Sequence, residues 1–468
     1  MAVLPFLPDL SLLALGLIVL AADLGREDGI MSFHIAWIGL LVISALLFLC
    51  PGSETAFFGT YAVSSALALW KQIFTWSALA TVLISHSYFR PGGNARGALE
   101  KPAAYFALLL LCVQGMFALV SARDLLTFFL GLELATLPLY ALAAFQPKDD
   151  DSVEAGAKYM LMGGFSSALG LFGLSFLYGA AGGLGFEALA AAAHVGSATL
   201  WTGVLFLLGA LGFKLAMVPM HMWAPDVYQG APTPVMAFLS VGSKAAAVAG
   251  AAILFFGPLD ALRSGLTGVI SLAAVLSMVA GNLGAMRQTH LRRFVAYSSI
   301  AQVGYMLIAF LGNAESARLA LQYNLVAYGA TSFGLYYVMS KVGKDGPETI
   351  DGLRGLNARN PGLAALLLLC MFSLAGIPPL AGFLGKFLLF SAAAAQGHYL
   401  VVFLAVGNAA VSFYYYMQLV KAAYIAEPGT QMAALEIGIA GKAWVWGISG
   451  LLLVLGLCPA LADYLASS

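Results

Sequence analysis

Four ionisable residues of this sequence lie inside long apolar runs. Lys214, Lys244 and Lys386 are near the middle of such runs, and Glu133 is the only one of the 22 acidic residues that deep in an apolar run. A charge at the bilayer centre costs roughly 2.5 to 3.5 kcal/mol on insertion scales, so such residues are usually paired, hydrated or neutralised. Burial favours the neutral amine of a lysine and a nearby carboxylate favours the ammonium, so a moving charge can change its protonation. Because one carboxylate cannot neutralise three lysines, the set favours a proton relay over a purely structural ion pair.

Two of these lysines are beside predicted breaks in their helices. Lys214 is followed by Pro219 and further prolines, and Lys386 is preceded by Gly376-Ile377-Pro378-Pro379. Proline removes a backbone donor and clashes with the preceding turn, so both helices should be interrupted. Interrupted helices in corresponding positions of two halves indicate a transport site. His221 follows the first break and is a candidate proton relay, because histidine titrates near neutral pH; the alternative is a hydrogen bond at a helix end.

The composition predicts the elements that must carry these residues. The 468 residues are 61% hydrophobic and 9% charged, whereas soluble domains have about a quarter charged residues. Apolar stretches of about 20 residues, the length that crosses a bilayer, recur along the chain. The net charge of zero leaves no positive field for nucleic acid. The four cysteines form no CxxC pair, so we expect no metal or iron–sulfur site.

The chain is therefore predicted to be an all-α polytopic membrane protein with about fourteen transmembrane helices. The stretch 55–70 is predicted to be a loop. No Lys or Arg precedes Arg26, so we expect the first helix to be retained and not cleaved as a signal peptide. The predicted spans are 4–22, 32–50, 71–88, 102–121, 124–144, 155–179, 199–228 (broken helix 7), 234–256, 266–285, 294–312, 316–340, 361–395 (broken helix 12), 399–424 and 442–464.

The basic residues between these spans predict an orientation. If loops alternate, fourteen Lys and Arg residues fall on one side, which we assign as the inside, and four fall on the other. Both termini are then outside. The inside residues are Arg26, Arg90, Arg96, Lys101, Lys148, Arg287, Arg292, Arg293, Lys341, Lys344, Arg354, Arg359, Lys421 and Lys442. The outside residues are Lys71, Arg123, Arg263 and Arg318.

A faint internal similarity suggests two repeats. Tyr159 precedes Gly170 at the same spacing at which Tyr323 precedes Gly334. Five helices in each unit would make the second repeat inverted in the membrane. We predict three N-terminal helices in 1–100, a first repeat in 101–257, a second in 258–425 and a last helix in 426–468.

Four sequence runs resemble a known family. They are Gly-Leu-Glu-Leu-Ala-Thr-Leu-Pro-Leu-Tyr at 131–140, Val-Pro-Met-His-Met-Trp-Ala-Pro within 212–234, Arg-Arg-Phe-Val-Ala-Tyr at the start of 292–305, and Leu-Ala-Gly-Ile-Pro-Pro within 373–387. In order and spacing they resemble the antiporter-like membrane subunits of respiratory complex I, the proton-pumping NADH:quinone oxidoreductase, and among them subunit N. The match covers roughly residues 100–425.

This resemblance implies a fourteen-helix antiporter-like fold with two inverted five-helix repeats and one proton channel. It implies that Glu133 is the carboxylate partner of Lys214, that Lys244 is the central lysine, that Lys386 is the terminal lysine, and that Lys158 is the basic residue of helix six. NADH, FMN, iron–sulfur clusters and quinone would be bound by other subunits, and this chain would hold no cofactor or redox centre. Its partners would be the other membrane subunits, in a bacterial inner membrane.

Three other functions fit the same residues. A subunit of a multisubunit cation/proton antiporter would share the fold, a passive scaffold would use the charges to orient partners, and a solute transporter would act alone. The polar loop 341–360 is a candidate contact for a soluble partner.

Overall fold

The computed structural model describes residues 4–22, 30–89, 100–345, 348–427 and 434–458. Helices dominate these residues, and one two-stranded hairpin joins the second and third helices along the chain. The elements are α1 (Leu7–Ala22), α2 (Ile30–Leu49), β1 (Glu54–Ala56), β2 (Tyr61–Val63), α3 (Ser65–Ser85), α4 (Pro102–Ser121), α5 (Leu125–Ala143), α6 (Asp150–Ala181), α7 (Phe186–Val195), α8 (Ala198–Leu215), α9 (Trp223–Gly230), α10 (Thr233–Phe238), α11 (Lys244–Phe255), α12 (Arg263–Met286), α13 (Leu291–Ile308), α14 (Ala314–Asp345), α15 (Leu356–Arg359), α16 (Pro361–Ala375), α17 (Ala381–Ala394), α18 (Tyr399–Tyr424) and α19 (Ile439–Leu457).

The predicted all-α membrane architecture is confirmed in the described part of the chain. Twelve helices there are long and apolar enough to cross a bilayer. The 32-residue α14 and the successive helices α16 and α17 account for the two remaining predicted spans. Each of the fourteen predicted spans therefore corresponds to one helix or one interrupted pair.

The stretch predicted as a loop at 55–70 was wrong in part. Strands β1 and β2 pair antiparallel, with Ala56 opposite Tyr61, and α3 begins at Ser65. Lys71 is consequently not in an outer loop: it lies in α3, is 2% exposed, and pairs with Asp9 of α1 at 2.7 Å. Four residues, 57–60, connect the two strands, and the chain enters α3 at Ser65, earlier than hydropathy suggested.

Both predicted helix breaks are present and share one capping pattern. After α8, the amides of Ala216 and Met217 donate back to the last turn, and after α16 the amides of Gly376 and Ile377 do the same. Ala216 and Gly376 have positive φ angles of 57° and 86°, which is the left-handed conformation that ends helices in this way. Two of the carbonyls freed at each break are thereby satisfied within the chain.

The polar loop considered for a soluble partner is tied to its own chain where the structure describes it. Glu348 pairs with the buried Arg292 of α13 at 2.6 Å and accepts the backbone amide of Leu291 through its carbonyl. The amide of Ile350 donates to Thr289 O at 2.9 Å. This segment packs against the first turn of α13.

Packing divides the described residues into two compact units. The first extends to Gly268 and the second begins at Val269, within α12. The predicted repeat boundaries at residues 101, 258 and 426 stay predictions. Arg26, Arg90 and Arg96, which contribute to the predicted orientation, lie outside the described residues.

Candidate functional site

The centre of the first unit contains a buried ion pair. Glu133 is in the middle of α5, and Lys214 is in the last turn of α8, directly before the break. Lys214 Nζ is 3.5 Å from Glu133 Oε1, and the two side chains are 3% and 13% exposed. The structure thus brings together the two residues that the sequence paired. The distance is long for a charged hydrogen bond, which is normally about 2.7 to 2.9 Å.

A serine hydroxyl is hydrogen-bonded to the same Glu133 oxygen that faces Lys214. Ser167 Oγ of α6 donates to Glu133 Oε1 at 2.8 Å and has a second acceptor, Gly163 O, at 3.1 Å. A hydroxyl has one proton to donate, so these two bonds alternate. Ser167 therefore shares one carboxylate oxygen with Lys214, and the serine has the shorter contact. Sequence reasoning missed it, because one of two adjacent serines in a Gly- and Ala-rich helix gives no signal of its partner.

Aromatic rings join the helices around this pair. Tyr140 lies two turns after Glu133 on α5, and its ring meets Tyr159 of α6 edge-on at 4.7 Å. Tyr159 stacks on Trp223 of α9 at 4.6 Å, and Trp223 Nε1 donates to Phe213 O at 3.0 Å. The indole thus satisfies a carbonyl freed by the break. The stack fixes α6 and α9 where Lys214 ends its helix.

Lys244 lies at an irregular turn in the same unit. It is 1% exposed and follows the π-helical segment Leu239–Ser243 that joins α10 to α11. Its Nζ is 5.9 Å from the centroid of the Tyr228 ring. Single π turns occur frequently at functional sites, and hydropathy gave no indication of this one. The widened turn places the ammonium over an aromatic face, which attracts cations.

Lys386 in the second unit is held by backbone carbonyls, and none of the described carboxylates bonds to it. Its Nζ donates to Leu374 O at 2.7 Å and Ala375 O at 3.3 Å, and it lies 4.5 Å from the centroid of the Tyr305 ring. Both carbonyls belong to the last turn of α16, where the helix dipole favours positive charge. The broken helix therefore stabilises this ammonium directly.

A hydrogen-bonded chain continues from that helix end. Gln302 Nε2 donates to Leu374 O and to Tyr416 Oη, both at 3.3 Å, and Tyr416 Oη is 2.6 Å from Ser298 Oγ. These groups are buried. The second unit thus has amide and hydroxyl groups near its lysine where the first has Glu133.

The structure does not bring Lys158 to the Glu133 pair. Its side chain is 45% exposed and bonds to Glu154 at 2.7 Å and Asp226 at 3.0 Å. It links the N-terminal third of α6 to the first turn of α9. His221 lies in the break between α8 and α9, half-buried, and its Nδ1 has no hydrogen-bond partner in the described part of the chain.

The amino-acid sequence is similar to that of known membrane proteins. The family model described as NADH:quinone oxidoreductase/Mrp antiporter, TM matches residues 122–412. The chain is 38% identical to NADH-quinone oxidoreductase subunit N of Moorella thermoacetica, over 98% of this chain and 95% of that one. It is 37% identical to the subunit N of Rhodospirillum rubrum, over 98% and 94% of the two chains.

Solved structures show the same likeness. A chain of respiratory complex I from Thermus thermophilus with bound aureothin has a TM-score of 0.84 at 33% identity, over 98% of this chain and 100% of that one. A chain of the Mrp complex from Dietzia sp. has a TM-score of 0.86 at 20% identity, over 100% and 96%, which is a likeness of fold alone.

Proposed function

Because this chain belongs to the NADH:quinone oxidoreductase/Mrp antiporter transmembrane family, we propose that it translocates protons as a membrane subunit, of the subunit N type, in an NADH:quinone oxidoreductase. The observation that carries the proposal is the buried Glu133–Lys214 pair at a broken helix, with a serine bonded to the same carboxylate oxygen. Electron transfer then occurs in other subunits, which bind NADH, FMN, iron–sulfur clusters and quinone. The chain itself holds no cofactor and lies in a bacterial inner membrane with both termini outside.

The first step is loading of Lys214. With Glu133 close, the ammonium form is stabilised by about 5 kcal/mol for unit charges 3.5 Å apart at an effective dielectric constant of 20. When Glu133 moves toward Ser167, that attraction weakens and Lys214 can release its proton. A change in a neighbouring subunit that moves α5 or α6 would drive this exchange.

The next steps use the other two lysines. Lys244 accepts the proton within the first unit, where the Tyr228 face favours its charged form. Lys386 is the terminal group in the second unit, and from it the proton leaves toward the outside. His221 is in position to supply protons at the first break. Lys158 is not a step of this pathway: it lies near the inner surface, where it is paired with Glu154 and Asp226.

The test is Lys214→Met in the assembled complex. We expect electron transfer from NADH to quinone to persist at a reduced rate and the number of protons moved per electron to fall. Lys214→Arg should retain more pumping than Lys214→Met, because it keeps the charge. Lys148→Gln, an exposed lysine of the same unit, is the matched control. A Lys214→Met complex that assembles and pumps at the wild-type ratio would contradict the proposal.

A subunit of a cation/proton antiporter is the second candidate. The family description includes Mrp antiporters, and the Mrp chain shares the fold. The relatives at 34% to 38% identity that carry the name subunit N favour the first candidate. Growth of an antiporter-deficient strain at high sodium on expression of this chain would favour the second, and co-purification with flavin and iron–sulfur proteins would favour the first.

A further inference from the structure

A second buried ion pair lies in the first unit, on helices that the proposed pathway does not use. Lys71 Nζ of α3 donates to Asp9 Oδ1 of α1 at 2.7 Å, and the two side chains are 3% and 8% exposed. The Tyr61 hydroxyl of β2 donates to the same oxygen. The ammonium also lies over the rings of Phe117 and Tyr61, at 5.2 and 5.7 Å. We refer to Asp9, Tyr61 and Lys71 as the hairpin cluster.

The second carboxylate oxygen of Asp9 is available to bind a ligand. Both donors use Oδ1, while Oδ2 is buried without a hydrogen-bond partner in the described chain. Ser121 Oγ of α4 is buried and hydrogen-bonds with the Tyr61 hydroxyl, so a further hydroxyl lies close to the carboxylate. Buried polar atoms are normally paired with protein or ordered water. A buried carboxylate oxygen left over beside a hydroxyl is an acceptor for a water or a proton.

The protonation states of the neighbours make Asp9 the group that takes the proton. Burial, and then the charge of Asp9, raise the pKa of the Tyr61 hydroxyl well above its usual value, so Tyr61 stays a donor throughout the physiological range. In the described chain, the charged or titratable side chains that contact Asp9 are Lys71 and Tyr61, and α4 contributes the Ser121 hydroxyl. Lys71 Nζ is already bonded to Oδ1. Oδ2 is the free basic atom.

The hairpin separates this pocket from the aqueous phase. Tyr61 bridges to Ala122, and the Arg123 amide donates to Thr60 O at 2.9 Å, so β2 is fixed across the end of α4. The tip beyond it is fully exposed at Phe58. A structural clasp between α1 and α3 would be strongest with both carboxylate oxygens bonded. Here one oxygen carries two donors and the other is left for a ligand.

We propose that Asp9 is a proton-binding site that exchanges protons with the aqueous phase on the hairpin side, through a water held between Asp9 Oδ2 and Ser121 Oγ. A hydronium ion gives one proton to Oδ2 and remains as water; the carboxylate becomes a carboxylic acid, and Lys71 keeps its three protons. Release reverses these changes. Protonation removes the counter-charge of Lys71, so the cluster couples the proton concentration on that side to the packing of α1 against α3.

The test is infrared difference spectroscopy of the complex in lipid vesicles while pH is changed. Lowering the pH should produce the carbonyl stretch of a protonated carboxylic acid, and Asp9→Asn should delete it. In Lys71→Met the band should already be present at neutral pH, because the cation that holds the carboxylate ionised is gone. Tyr61→Phe, which removes one donor to Oδ1, should move the band in the same direction. Lys148→Gln should leave it unchanged.

Stability gives a second measurement. In Asp9→Asn we expect the thermal midpoint of the complex to change less with pH than in the wild type, because the carboxylate whose protonation alters the packing of α1 against α3 is gone. A band that survives Asp9→Asn, or that does not respond to Lys71→Met, would overturn the inference and leave a structural clasp. The spectral result is independent of the Glu133 pathway, because Lys214→Met should preserve the band even while it lowers pumping.

Discussion

Removing the Ser167 hydroxyl should hold Glu133 and Lys214 together. Ser167 Oγ is 2.8 Å from Glu133 Oε1, whereas Lys214 Nζ is 3.5 Å away. In Ser167→Ala the carboxylate loses the donor that draws it from the lysine, and the pair should close to about 2.8 Å, the usual length of a charged hydrogen bond. The closed pair would then release the lysine proton less readily.

The size of the effect follows from these distances. Closing the pair from 3.5 Å to about 2.8 Å strengthens the Coulomb attraction by about 1 kcal/mol at an effective dielectric constant of 20. A carboxylate that later withdraws also lacks its alternative hydrogen bond, worth about 1.5 to 3 kcal/mol for a charged acceptor. Both changes favour the closed pair. The first alone slows a step limited by pair opening by about fivefold.

The assay measures proton uptake and NADH:quinone turnover in inverted membrane vesicles. Ser166→Ala is the matched control, since Ser166 is the adjacent buried serine on α6 but donates to Ala210 O at 3.2 Å. Ser167→Thr should restore the hydroxyl and most of the rate. If Ser167→Ala pumps as fast as Ser166→Ala, or faster than wild type, the competition between serine and lysine does not govern the pair.

Three further predictions concern stability and pH. Asp124→Ala should destabilise the complex by about 1 kcal/mol without altering protons per electron, since Asp124 caps α5 through two backbone amides; thermal unfolding measures this, and an altered ratio would contradict it. Lys386→Met should lower pumping and the thermal midpoint together, because two carbonyls at the end of α16 lose their donor; unchanged values would contradict the assignment. The exposed Glu100–Lys148 bridge lowers the pKa of Glu100 and raises that of Lys148, so its contribution is lost as pH falls through the Glu100 pKa or rises through the Lys148 pKa, and Lys148→Gln should shift the midpoint at neutral pH by less than about 1 °C.

The spans and the two breaks could be predicted because their causes are local. Hydropathy over about 20 residues decides whether a segment crosses a bilayer, and Pro219 and Pro378 interrupt helices wherever the helices pack. The lysines at mid-span were equally visible, since each is a single charge in an apolar run. The resemblance to a family added which carboxylate pairs with which lysine.

Other features depend on tertiary contacts and left no local signal. Lys71 was assigned to a loop because it is at the edge of an apolar run, and only the packing of α1 on α3 brings it to Asp9. Ser167 acquires its role from the helix opposite. Lys158 occupies a recognisable position, yet its partners Glu154 and Asp226 place it at the surface.

The most direct measurement of the central claim replaces both members of the buried pair. Glu133→Gln with Lys214→Met leaves a neutral, similarly packed pair and no buried charge to destabilise assembly. In proteoliposomes containing the purified complex, protons moved per electron should fall clearly below the wild-type value, while electron transfer from NADH to quinone remains measurable. A double variant that assembles and pumps at the wild-type ratio would mean that Glu133 and Lys214 only orient helices, and that protons cross the membrane elsewhere.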